Sequence, residues 1–154
     1  MLAIIICLIV LAADQASKFW AVNNLQSTKG IKIIGDVLEF QYVENRGAAF
    51  GILQGQMWLF YVLTVVVIAI LIYYLFHYVK DSLFMNITIG LILGGALGNF
   101  VDRLFRSFVV DFIKIDLIDS YRFPVFNIAD IAITVGAVLF FIYVLFIDDR
   151  LLKE

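Results

Sequence analysis

From Met57 to Tyr78 the chain reads MWLFYVLTVVVIAILIYYLFHY, with almost nothing polar before His77. A run of that length and character predicts a helix that crosses a lipid bilayer. About 20 apolar residues span the hydrocarbon, and a helix satisfies its own backbone polar groups there. Three more segments fit the same template: Leu2 to about Val22, Leu83 to about Leu104, and Ile128 to about Ile147. Of the 154 residues, 64% are hydrophobic and 16% charged, against roughly 25% charged in a soluble domain. The expected fold class is an all-α integral membrane protein with four transmembrane helices, forming a single domain over residues 1–154. A formal net charge of -2 without a basic cluster argues against nucleic acid as a partner.

The apolar start, Leu2 to Ala13, follows no Lys or Arg, and polar residues come after it at helical spacing instead of a small-residue cleavage site. The expectation is a retained first helix, not a cleaved signal peptide. Cys7 lies inside that run and reads as a buried, inert thiol. Asp14 and Lys18 stand i, i+4 and can pair on one helix face. They form either an ion pair snorkelling at the interface or a polar wall of a site. Trp20 suits an aromatic belt.

Between the first two helices, residues 29–50 form a β-rich extramembrane segment. IKIIGDVLEFQYV carries β-branched and aromatic residues around a Gly35-Asp36 turn signal, which predicts a short hairpin or small sheet lying on the membrane. ENRGAAFGIL follows. Gly47 and Gly51 permit tight turns and close approach of a ligand, while Asn45 and Arg46 supply donors. Alone, the motif also fits an ordinary structured loop. In the third helix Gly90, Gly94 and Gly98 make a small-residue ridge for close packing. Asn99 and Arg103 follow at i, i+4, with Asp102 beside them. Arg103 is either an interfacial anchor or a five-donor fork for a carboxylate or a substrate carbonyl.

A second β-rich segment, 107–122, contains VVDFIKIDL, whose alternation reads as a strand bearing Asp111. Past Pro124, Asn127 is a good cap for the fourth helix. Asp130 opens a run, IAITVGAVLFFIYVLFI, with no other charge. A lone carboxylate at the head of a membrane helix is costly and is read as functional by default.

Four crossings place both termini on one side. Asp14, Lys18, Asn99, Asp102, Arg103, Asn127 and Asp130 then fall toward the opposite face, together with both sizeable loops. Polar groups converging on one interface predict a site there. If Asp111 and Asp130 meet, one stays protonated and the pair titrates as a unit. The ionised member can take a proton from water as it attacks a peptide carbonyl, while the other donates to the carbonyl oxygen. That chemistry needs neither a metal nor an organic cofactor. The bland alternative makes Asp111 a solvated loop residue and Asp130 a carboxylate favoured by the helix dipole. By spacing alone, Asp102, Asp116 and Asp119 compete for the same role.

His77, the single histidine, sits at the far end of its helix, so neither a Ser-His-Asp triad nor a zinc site fits. Two other classes compete. A small proton-coupled transporter or channel subunit would use Asp130 and Asp14 as relays, but it needs polar residues at mid-depth, where helices 2 and 4 have almost none. A scaffold binding partner helices through its glycine ridge would not need two aspartates.

Five motifs in order resemble the bacterial lipoprotein signal peptidases (signal peptidase II): DQASK at 14–18, ENRGAAFG at 44–51, GGALGNFVDRL at 94–104, VVDF at 109–112 and FNIAD at 126–130. Together they span nearly the whole chain. The resemblance implies a four-helix aspartic endopeptidase with a small extramembrane β-sheet platform. Its substrate would be a diacylglyceryl-modified prolipoprotein, cut just before the lipidated cysteine. It implies Asp111 and Asp130 as the catalytic dyad. Asp14, Lys18, Asn45, Gly47, Asn99, Arg103, Asn127 and Ala129 match the family's other motif positions, the polar ones positioning substrate or dyad. It further implies a monomer in the bacterial cytoplasmic membrane, in contact with membrane lipid. The site would lie near the outer face and both termini in the cytoplasm. The raw Lys and Arg count opposes that orientation. Lys29, Lys32, Arg46, Arg106, Lys114 and Arg122 lie on the site's side, against Lys80, Arg150 and Lys153 on the other. The resemblance is followed over the count.

Overall fold

The computed structural model describes residues 1–47, 55–78, 82–116 and 123–146. Among these residues, four helices are long and apolar enough to cross a membrane: α1 (Leu2–Leu25), α2 (Met57–Tyr78), α3 (Leu83–Arg106) and α4 (Ile128–Phe146). With them stands one open antiparallel sheet of β1 (Ile31–Ile34), β2 (Leu38–Asn45) and β3 (Val109–Ile115), in that order. The chain is an all-α membrane protein with a small three-stranded appendage.

Two helices run past their apolar spans. In α1 the side chains of Asn23 and Asn24 donate back to the carbonyls of Phe19 and Trp20, 2.8 Å each, which extends the last turn to Leu25. Helix α3 continues to Arg106, which pairs with Asp102. It stops where Ser107 turns left-handed (φ 62°) and its N–H bonds to the Arg103 carbonyl. Hydropathy marks where lipid ends, not where a helix does.

Helix α3 is the centre of the bundle. Lipid tails are as apolar as leucine, so membrane helices associate through close packing instead of hydrophobic exclusion. The glycine ridge supplies that closeness toward α1. A Cβ on Gly90 would fall 2.8 Å from the Ala3 carbonyl, and one on Gly94 the same distance from the Cys7 carbonyl. Gly95 lies outside the ridge and does the same toward α4, where a Cβ would come 2.5 Å from the Ala129 carbonyl. Helix α2 is peripheral and packs chiefly on α3. Cys7 is buried with Met85, Ile89 and Leu93 in the apolar cluster that joins the four helices.

At the other end of α1 a second apolar cluster holds the sheet down. Ala21 and Leu25 pack on Val110, Phe112 and Ile113, and Trp20, Phe40 and Phe112 meet edge to face. The hairpin turns at Gly35 as its dipeptide predicts, with φ +49°. Strand β3 differs from expectation. Its apolar-polar alternation predicts one wet face, yet Val109 to Ile113 are all buried. One face lies on α1, and its free edge is covered by Phe126, whose carbonyl accepts from the N–H groups of Phe112 and Ile113. The polar residue in that pattern is Asp111, and it is buried too.

Candidate active site

Between the two apolar clusters lies a layer of buried polar side chains. Lys18 is its hub, with no solvent exposure. Its ammonium has three donors and places all of them: on Asp14 Oδ2 at 2.9 Å, Asp102 Oδ2 at 3.1 Å and Asn99 Oδ1 at 2.9 Å. A lone buried ammonium is very costly. Two carboxylates and an amide oxygen offset that cost here. Asp14 uses its other oxygen to accept the Ala129 N–H at 3.0 Å, satisfying a free donor at the head of α4. Gln15 adds bonds to Asp14 and to the Gly98 carbonyl. Gly98 has to lack a Cβ, which would fall on the Asp14 carboxylate. Asp102 accepts from Arg106 at 2.9 Å and from the Val110 N–H at 3.0 Å, so it ties α3 to the strand residue before Asp111.

This layer orients two asparagines. Lys18 can only donate, so Asn99 turns its oxygen to Lys18. Its amide nitrogen then donates to Asp130 Oδ1 at 2.7 Å. Asn127 is the cap of α4, and the cap is reciprocal. The Asp130 N–H donates to Asn127 Oδ1 at 3.0 Å, and the Asn127 N–H donates to Asp130 Oδ2 at 3.2 Å. With its oxygen so engaged, Asn127 turns its nitrogen to Asp111 Oδ1 at 2.6 Å. Asn45, at the end of β2, donates to the other Asp111 oxygen at 2.9 Å and accepts the Gly47 N–H at 3.0 Å. Each of the four carboxylate oxygens therefore receives one N–H donor.

Asp111 and Asp130 line one cavity of about 510 Å³ together with Asn45, Gly47, Asn99 and Arg103. Asp111 is 2% exposed. Its carboxyl is pushed up to about 7, first by burial and then by the negative charge of Asp130. The amides of Asn45 and Asn127 and the charge of Lys18 act against that rise. The rest of the cavity wall is mostly apolar, with Ile131, Ile133 and Val135 of α4 descending along it. The two carboxylates thus share a cavity whose remaining wall is largely apolar and includes the first turns of α4.

The structure brings together Asp14, Lys18, Asn45, Gly47, Asn99, Arg103, Asn127, Ala129, Asp111 and Asp130, the residues singled out by sequence. Gly47 takes no positive φ, so its value at this wall is room and an N–H that donates to Asn45, not a left-handed turn. Asp116 lies at the far end of β3, paired with Lys114 at 3.0 Å. Gly51 and Asp119 lie outside the described residues. His77 stacks on Tyr73 at 4.2 Å near the opposite end of α2. Asp102, by spacing a rival for the dyad, is instead the link between Lys18, Arg106 and β3. Its signal was the i, i+3 spacing from Asn99 on one face of α3. Gln15, Phe60 and Tyr61 carried no signal of their own.

A four-helix membrane protein with two neighbouring carboxylates on one largely apolar cavity belongs to the class of intramembrane-facing aspartic hydrolases. Residues 6–146 match the family model described as signal peptidase (SPase) II, and the chain belongs to that family. It is an aspartic endopeptidase. Two solved chains described as a bacterial membrane enzyme, determined by the in meso method, are similar to it. One, at 2.3 Å resolution, is 36% identical over 99% of this chain and 91% of its own, with a TM-score of 0.85. The other, at 1.9 Å, is 36% identical over 94% of this chain and 93% of its own, also with a TM-score of 0.85.

Proposed function

We propose that Asp111 and Asp130 are the catalytic pair that removes the signal peptide from a diacylglyceryl-modified prolipoprotein. The observation that carries this reading is the buried Asp111, raised to about 7 beside Asp130 on one cavity. Asp111 holds the shared proton and donates it to the scissile carbonyl oxygen. Asp130, at the head of α4 where the helix dipole favours an anion, accepts a proton from the attacking water. Collapse of the tetrahedral intermediate breaks the C–N bond; the leaving amine takes its proton from Asp130, and the hydroxyl formed from the carbonyl oxygen returns its proton to Asp111. Asn99, Asn127 and Asn45 hold both carboxylates in place. Asp14, Lys18 and Ala129 fix the head of α4, and with it Asp130.

Arg103 and Gly47 face the cavity and serve the substrate backbone, the guanidinium as donor to a carbonyl and Gly47 as room for the chain. The apolar wall below takes the acyl chains, which would hold the scissile bond at the height of the dyad. The enzyme works as one monomeric unit over residues 1–154 in the bacterial cytoplasmic membrane. Its site is near the outer face and its termini are cytoplasmic. Family membership supports that orientation against the Lys and Arg count. The test is cleavage, by purified protein in detergent, of a prolipoprotein with and without the diacylglyceryl group, with products identified by mass. The expected result is a cut directly before the modified cysteine, and none in the unmodified substrate. Equal cleavage of both would remove the lipid from the recognition.

A further inference from the structure

Among the described charged side chains at the cavity wall, the guanidinium of Arg103 is the one with no hydrogen bond into the buried network. Its Nε is buried and has no hydrogen-bond partner among the described residues. What lies against it is an aromatic ring: its central carbon sits 4.6 Å from the centroid of Phe60, in the first turn of α2. The next residue, Tyr61, donates its hydroxyl to the Arg103 carbonyl at 2.8 Å and sets its ring edge-on to Phe100 of α3 at 6.1 Å. The head of α2 thus grips Arg103 twice, by backbone and by side chain, although α2 otherwise meets α3 through apolar packing.

We propose that Phe60 is a positioning residue for Arg103, its ring fixing the guanidinium plane so that the fork faces the cavity before substrate arrives. The proposal rests on the reading that Arg103 binds the substrate backbone. A planar cation is attracted to a ring face, and more strongly where water is excluded. An arginine side chain has many rotamers to lose when its fork is fixed. A ring that confines it beforehand spares the substrate that ordering cost. Leucine fills comparable space without a π face, and tyrosine keeps the face.

The experiment measures KM and kcat on a diacylglyceryl-modified prolipoprotein for wild type, Phe60→Leu, Phe60→Tyr, Arg103→Gln and the double variant Phe60→Leu with Arg103→Gln. Thermal midpoints in detergent are recorded alongside. Phe60→Leu is expected to raise KM about tenfold, about 1.4 kcal/mol of binding, with kcat within twofold. Phe60→Tyr restores wild-type KM. In the Arg103→Gln background Phe60→Leu adds nothing further, because the pair acts as one unit. Wild-type KM in Phe60→Leu beside an impaired Arg103→Gln would overturn the proposal alone. So would an additive double variant, or a Phe60→Tyr as impaired as Phe60→Leu. Wild-type kinetics in Arg103→Gln would sink the substrate-binding reading of Arg103, and the proposal with it.

Discussion

Replacing Asp111 by Asn should abolish cleavage and yet stabilise the protein, by an amount that grows with pH. An unfolded Asp titrates near 3.8, and the folded Asp111 at about 7. The folded state therefore holds the proton more tightly. Below about pH 4 the carboxyl is protonated in both states and contributes nothing pH-dependent. Between 3.8 and 7 the unfolded chain has released the proton that the folded chain keeps, so stability falls as pH rises. Above about 7 both forms are ionised and the loss is complete. At about 1.4 kcal/mol per pH unit, the raised Asp111 carboxyl costs the folded state on the order of 4 kcal/mol at pH 8 and about 1–2 kcal/mol at pH 5. Asn cannot ionise, so it escapes both costs. It also offers one oxygen to the two amides of Asn127 and Asn45, which both donate. That lost hydrogen bond costs about 1 kcal/mol at every pH.

The pH-dependent part is therefore the clean readout. Titrating groups remote from Asp111 act alike in variant and wild type and cancel in the difference. The stability of Asp111→Asn relative to wild type should rise by about 3 kcal/mol from pH 5 to pH 8. At about 2–4 °C per kcal/mol for a chain of this length, the gain in thermal midpoint is on the order of 5–10 °C. Thermal unfolding in detergent at both pH values measures it. A difference that stays flat between them would show that Asp111 is not held above its ordinary range, and the protonated-donor role would fall.

Lys18→Met leaves Asp14 and Asp102 buried without their shared cation. The expected loss is about 3–5 kcal/mol, visible as a much lower thermal midpoint or as failure to accumulate in the membrane. A wild-type midpoint would mean that Lys18 does not hold the layer together. Asn127→Ala removes a helix cap worth about 0.5–2 kcal/mol and the amide that faces Asp111. Turnover should fall by far more than the modest drop in midpoint explains. Activity lost only in proportion to unfolded protein would reduce Asn127 to a cap.

The four crossings were legible because lipid imposes a length and an apolar character that few other settings demand. The glycine ridge was legible too, since i, i+4, i+8 spacing puts three small residues on one face. The dyad was half legible. Asp130 stands out against a charge-free run, but Asp111 looks like any polar position of an alternating strand. Only the cover given by α1 and Phe126 makes it buried. Periodicity reports which face a residue takes, not whether something lies on both faces. The role of Asp102 was hidden for a related reason. Its partners, Lys18 on α1 and the Val110 N–H, are distant in sequence or on the backbone, where a side-chain pattern does not reach. The grip of Phe60 and Tyr61 on Arg103 was invisible because aromatic residues at the start of a membrane helix are ordinary.

A single-turnover cleavage assay on folded Asp111→Asn and Asp130→Asn, with a diacylglyceryl-modified prolipoprotein, reaches the proposed chemistry most directly. Each variant should bind that substrate and leave it uncut, because either half of the proton exchange is then missing. Wild-type cleavage by either one would show that the bond breaks without the pair.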